Sequence, residues 1–189
     1  MKQTITDQKA YLEDFYRRNF SMETNFSGMK IPEFDDQKYF LIIVPAGLFF
    51  EKVLDVAEKM MGIRIENNLT FGGKIASIRE AETDYFVLVS KNLTKLSFLG
   101  SGYVSSRAKD QVTLTEGIIC MMIFFEKNSS GFYNLISSIF TCGASRIEGK
   151  RNILLPGLVY DKTNQIIHII WYDGFYAEAN IDKLEVLSF

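Results

Sequence analysis

The run YFLIIVPAGLFFEKVLDVAEKMMG, residues 39–62, constrains the fold more than any other stretch of this chain. Residues 39–44 are wholly apolar, rich in branched side chains and of strand length, which predicts a buried strand. PAGL then turns the chain into a different period. Phe49, Val53, Val56, Ala57 and Met60 recur along one helical face, while Glu51, Lys52, Asp55, Glu58 and Lys59 fall largely away from it. Gly62 stands where a left-handed residue would stop that helix. The unit is strand–turn–helix.

Other segments extend the pattern. YFVLVS (85–90) predicts a second strand, and Thr113 or Thr115 caps a helix running to about Lys127 that is apolar around most of its circumference and therefore central. The last third predicts a β-meander from 135–142, 152–161 and 165–173, with DKTN as a short hairpin connection. Pro156 marks its strand as an edge or the site of a bulge. The tail AEANIDKLEVLSF ends apolar and is expected to dock onto the sheet. Residues 6–20 predict a helix with Thr6 as N-cap and Tyr11, Leu12, Phe15 and Tyr16 at helical spacing. The irregular connector after it, 21–38, makes that helix a peripheral arm. Residues 63–83 lack a clear period, and 91–111 read as a loop with a basic tint. The expected fold is α+β, with a mostly antiparallel sheet, a C-terminal β-meander, two core helices and a peripheral N-terminal helix. Residues 1–38 form the helix and connector, and 39–189 a single domain.

Composition limits function more than it specifies it. A chain of 189 residues, 47% hydrophobic, can bury a core of one ordinary domain. With 21 basic and 23 acidic residues, a role coating nucleic acid is disfavoured. The longest apolar runs, 39–50 and 117–125, fall short of the roughly 20 residues a spanning helix needs, and the first twenty residues carry no apolar signal core. Two cysteines make no disulfide framework, so a reducing cytoplasm is the expected compartment. The single histidine, His168, removes most zinc sites and most nucleophile–base triads.

What remains are three small constellations. Cys142 and His168 are the one pair able to act as nucleophile and base, if the two strands bring them together and the imidazolium lowers the thiol's pKa. A buried small hydrophobe beside a half-buried histidine is the plainer reading. A metal site from Cys120, Cys142 and His168 lacks the close ligand spacing of zinc motifs, so no metal or other cofactor is expected. The loop GASRIEGKR offers Ser145, Arg146, Lys150 and Arg151 to a phosphate or nucleic acid, although a solvated hairpin with Ser145 satisfying backbone groups is the favoured reading. WYDGFY, with Trp171 and Tyr176, is a recognition surface if exposed and a sheet plug if buried. The acidic stretches EFDD (33–36) and REAETD (79–84) read as solvated surface.

VPAGL (44–48), TLTEGIICMMIFF (113–125), CGASR (142–146), LPGLVYD (155–161) and IIWYD (169–173) together resemble a family of short bacterial proteins found in candidate-phylum and related bacteria. The order and spacing agree over about residues 39–175, with Ala144 where that family usually has glycine and without its C-terminal arginines. The resemblance adds order and no chemistry. It implies that Cys142–Arg146 is a structural corner, with Arg146 bonding carbonyls or a carboxylate. The functional expectation is a non-catalytic binding protein with a protein partner. A cysteine-dependent enzyme and a phosphate-binding or nucleic-acid-binding module are the alternatives. A homodimer through Tyr11, Phe15 and Phe20 of the first helix is a further expectation.

Overall fold

The computed structural model describes residues 4–67, 75–79, 81–95, 110–127, 140–142, 144–148, 153–161, 163–173 and 182–188. Among them are three helices, α1 (Ile5–Phe20), α2 (Phe50–Met61) and α3 (Leu114–Lys127). Nine strands accompany them: β1 (Tyr39–Val44), β2 (Arg64–Asn67), β3 (Ala76–Ser77), β4 (Tyr85–Lys95), β5 (Phe140–Thr141), β6 (Ser145–Glu148), β7 (Ile153–Asp161), β8 (Ile166–Asp173) and β9 (Asp182–Ser188). The fold is α+β and the sheet mixed. It runs β1-β4-β9-β5-β7, with β8 and then β2 beyond β7, while β6 and β3 branch from β7. Only β5·β9 and β2·β8 are parallel pairs among the described strands.

The apolar run 39–44 is β1, and it pairs with β4 in unbroken register from Tyr39↔Ser90 to Val44↔Tyr85. Leu41 to Val44 and Val87 to Val89 are buried at successive positions, so both faces of this pair are covered. Phe40 meets Phe124 of α3 edge-on at 5.0 Å. Beyond Ser90, β4 continues to Lys95, so the basic stretch expected as loop begins as strand. α2 follows its predicted face at Val53 and Ala57, and Gly62 ends it at φ +63°. Phe49 departs from expectation. It is the N-cap, just outside the helix, and 71% exposed.

The first helix is no detachable arm. Its N-cap is Thr4, two residues before the expected Thr6, because Thr4 and Asp7 form a reciprocal capping box. Leu12, Phe15, Tyr16 and Phe20 are buried in the common core with Phe26 of the connector. The Tyr16 phenol donates to the Ile43 carbonyl at 2.5 Å, on the strand that ends the sheet. Arg18 bridges to Glu126 of α3 at 2.7 Å, and Lys127 sits 3.9 Å above the Tyr11 ring. The aromatic residues that suggested a homodimer are thus packed within their own chain. α3 is central as its composition predicts, with Leu114 and Glu116 to Ile123 all buried. Among the described residues, no helix is long and apolar enough to cross a membrane.

The end of the sheet is more than a meander. β6, β7 and β8 are sequential antiparallel neighbours, but β9 crosses over to lie between β4 and β5. The docked tail is therefore an interior strand.

Candidate functional site

The stretch TCGASR sits where β5 passes into β6 along one edge of β7. Phe140↔Leu158 and Thr141↔Gly157 fix the register on one side, and Ile147↔Leu154 and Glu148↔Ile153 on the other. Between these ladders the described residues Cys142, Ala144, Ser145 and Arg146 have no register partner on β7, so the chain bulges away from it there. Pro156 explains the bulge. Its carbonyl accepts from the Cys142 amide at 2.9 Å, and a strand residue's N and C=O point the same way, so the missing N–H faces the bulge too. Pro156 is not on an edge strand, because β8 pairs with β7 on its other side.

The bulge is folded onto the N-terminus of α3. Ala144 N donates to Val112 O at 3.2 Å, and the Ser145 hydroxyl accepts from Leu114 N at 2.9 Å. Ser145, fully buried, lies 2.7 Å from the Ser77 hydroxyl. The helix is capped by its own box. Glu116 N donates to Thr113 Oγ1 at 3.1 Å, and Thr113 N donates to Glu116 Oε2 at 2.8 Å. Arg79 completes the cluster, with Nε on Glu116 Oε1 and Nη2 on Glu116 Oε2, both at 2.7 Å, and Nη2 also on Gln111 O at 2.6 Å. Glu116 is fully buried and the Arg79 side chain is 13% exposed. Burial pulls the Arg79 guanidinium down, but the hydrogen bonds and charge of Glu116 outweigh it and hold it above its ordinary value. Tyr85, hydrogen-bonded to the same carboxylate, is pushed up by burial and then by the Glu116 charge.

The cation that meets the carboxylate is Arg79, at the head of REAETD. Glu82 and Asp84, the described acids of that stretch, are exposed as expected. Asp84, in the same stretch, accepts from Ala46 N at 2.7 Å in the turn after β1. Glu116, Arg79, Tyr85 and Gln111 were not candidates from the sequence. Thr113-x-x-Glu116 is the one visible signal, a capping-box spacing ahead of an apolar run. Arg146 pairs through its backbone with Ala76, and its side chain lies outside the described residues, as do Lys150 and Arg151.

Cys142 and His168 are not brought together. β5 and β8 lie on opposite sides of β7, with Cys142 at the level of Pro156 and His168 opposite Val159. That is about 10 Å across the sheet and about 10 Å along it. Cys142 is fully buried, and burial, then the Glu116 charge, pushes its thiol well above the usual range. Both effects oppose the thiolate that nucleophilic attack requires. Cys120, also fully buried, is pushed up by desolvation. Among the described residues, no three His, Cys, Asp or Glu side chains converge to hold a metal ion.

His168 belongs to a different surface. On β8, Ile167 and Ile169 are buried, while Ile166, His168 and Ile170 line the other face half-buried. Val159 of β7 shares that face through the register Val159↔His168, and β2 adds Arg64 opposite Ile166 and Glu66 opposite His168. Glu66 lies 3.5 Å from His168 Nδ1 and 3.1 Å from Arg64. Arg64 is 72% exposed. The result is a half-buried apolar strip with a charged margin. Trp171 packs partly buried against the core, opposite Pro156, and Tyr176 lies outside the described residues. Compared with known proteins, the chain matches no family model, no curated protein and no solved structure.

Proposed function

We propose that this protein acts by binding a protein partner rather than by catalysis, and that the outer face of β7, β8 and β2 is the contact surface. The observation that carries the reading is the strip Val159, Ile166, His168 and Ile170, half-buried on the face away from Ile167 and Ile169 and edged by Arg64 and Glu66. Apolar centres with charged margins are how protein contact surfaces are built. The enzyme reading loses its geometry, because its nucleophile is sealed in the core and its base stands two strands away.

The test is affinity capture from host lysate with wild type, Ile170→Asp, Arg64→Glu and a control on the exposed side of α2, Lys52→Glu. Support is a stoichiometric protein captured by wild type and Lys52→Glu, lost in Ile170→Asp and weakened in Arg64→Glu, at unchanged thermal stability. Equal capture by Ile170→Asp removes the surface. Turnover of any substrate that Cys142→Ala abolishes removes the non-catalytic reading altogether.

A further inference from the structure

The margin of the β8 strip carries both signs of charge on one strand. Arg64 and Glu66 stand two residues apart on β2, hence on the same face, beside Ile166 and His168 of β8. Arg64 is 72% exposed and Glu66 30%. Within one chain Arg64 lies 3.1 Å from Glu66. A guanidinium has five donor hydrogens, so one carboxylate leaves it able to meet a second. Asp161, on the same face of β7 opposite Ile166, is engaged by its own hairpin, accepting from Thr163 N, Asn164 N and Asn164 Nδ2.

We propose that the occupant of this surface is a second copy of the chain, laid face to face so that Arg64 of each copy meets Glu66 of the other. A twofold axis in the plane of the sheet, crossing β2 midway between the two residues, produces that pairing. It also sets Ile166 of each copy at the level of His168 of the other. Packed sheet faces lie about 10 Å apart, a gap that an arginine and a glutamate together span. The signs select the occupant. A partner of one charge would attract either Arg64 or Glu66 and repel the other, whereas a copy of the same surface matches both at once. The apolar centre, Val159, Ile166 and Ile170, is small and half-buried, which places the contact among the weak interfaces that bury less than about 1,200 Å² in total. This occupant rests on the reading of the face as a contact surface.

Sedimentation velocity of the purified chain, from about 1 μM to about 1 mM, tests it. Wild type should pass from monomer to dimer across that range. Arg64→Glu and Glu66→Arg, each alone, set like charges opposite one another and should raise the dimer dissociation constant by at least about 10-fold. Mixed one to one, the two variants restore both pairs, so the mixture should dimerise at the wild-type midpoint. Misfolding of either variant cannot produce that recovery. A wild type that stays monomeric throughout overturns the proposal, as does a dimer that both single variants leave intact, or a mixture that behaves as its separate components. The contact surface itself is judged separately, by Ile170→Asp in the capture experiment.

Discussion

Arg79 grips Glu116 with two hydrogen bonds of 2.7 Å, across 37 residues of sequence, and the carboxylate it holds is the N3 residue of α3. One fork thereby joins the segment before β4 to the start of the central helix. Removing one partner of a buried pair strands the other charge, so Arg79→Met should cost about 3–5 kcal/mol. Arg79→Met with Glu116→Gln should cost less than the sum of the single changes, because the second removes the stranded charge. Urea denaturation of the four-member cycle measures the coupling, expected at about 1–3 kcal/mol. Strict additivity would mean that the pair contributes nothing of its own.

Tyr16→Phe removes the donor to the Ile43 carbonyl while leaving the ring in place. The buried acceptor then goes unpaired, and the loss should be about 1–3 kcal/mol. Thermal and urea unfolding measure it. A change within experimental scatter would indicate that water reaches the edge of β1.

Phe49→Ser should stabilise the protein. Phe49 makes no side-chain capping bond at the start of α2 and is largely exposed, so serine at this position adds a cap at little loss of packing. The gain expected is about 0.5–1 kcal/mol, read as a raised unfolding midpoint. A loss of stability would show that the ring makes contacts beyond the cap.

Alkaline pH should destabilise the fold in part through the two thiols. Both Cys120 and Cys142 have pKa values raised by burial, so between the unfolded pKa and the higher native one the unfolded chain has released protons that the native chain retains. Their contribution is present in full below the unfolded pKa and falls as pH rises above about 9, by about 1.4 kcal/mol per pH unit for each thiol. Comparing wild type with Cys142→Ala isolates one of them, and the variant's slope should be shallower by that amount. The same burial predicts that Cys142 alkylates more slowly in the native than in the denatured protein at neutral pH. Equal slopes, or a native thiol that reacts faster, would contradict its burial.

What the sequence makes legible is local. β1, α2, α3, β7 and β8 each announce themselves because a run of residues carries its own period, and Gly62 carries its own stop signal. Pro156 is legible as a problem, and only the pairing of β7 on both sides identifies the bulge as its solution. Thr4 rather than Thr6 caps α1, because the reciprocal bond from Asp7 decides between two threonines that propensity cannot separate. Long-range pairing leaves no such trace. Nothing in REAETD marks Arg79 as the partner of a glutamate 37 residues on, and no run near His168 reveals that Glu66 will stand beside it.

The placement of β9 carries a consequence for the order in which this protein can be made. Residues 182–188 lie between β4 and β5, so the two halves of the sheet meet through a strand translated after both. As the chain emerges from the ribosome, β1 and β4 can pair while the seat between β4 and β5 stays empty. An unfilled strand position is a template for any extended segment, whether from a neighbouring chain or from a misplaced stretch of the same one. Synthesis that stalls just short of Asp182 would therefore yield a chain with most of its core residues and an open seam, poised to aggregate rather than merely to be less stable.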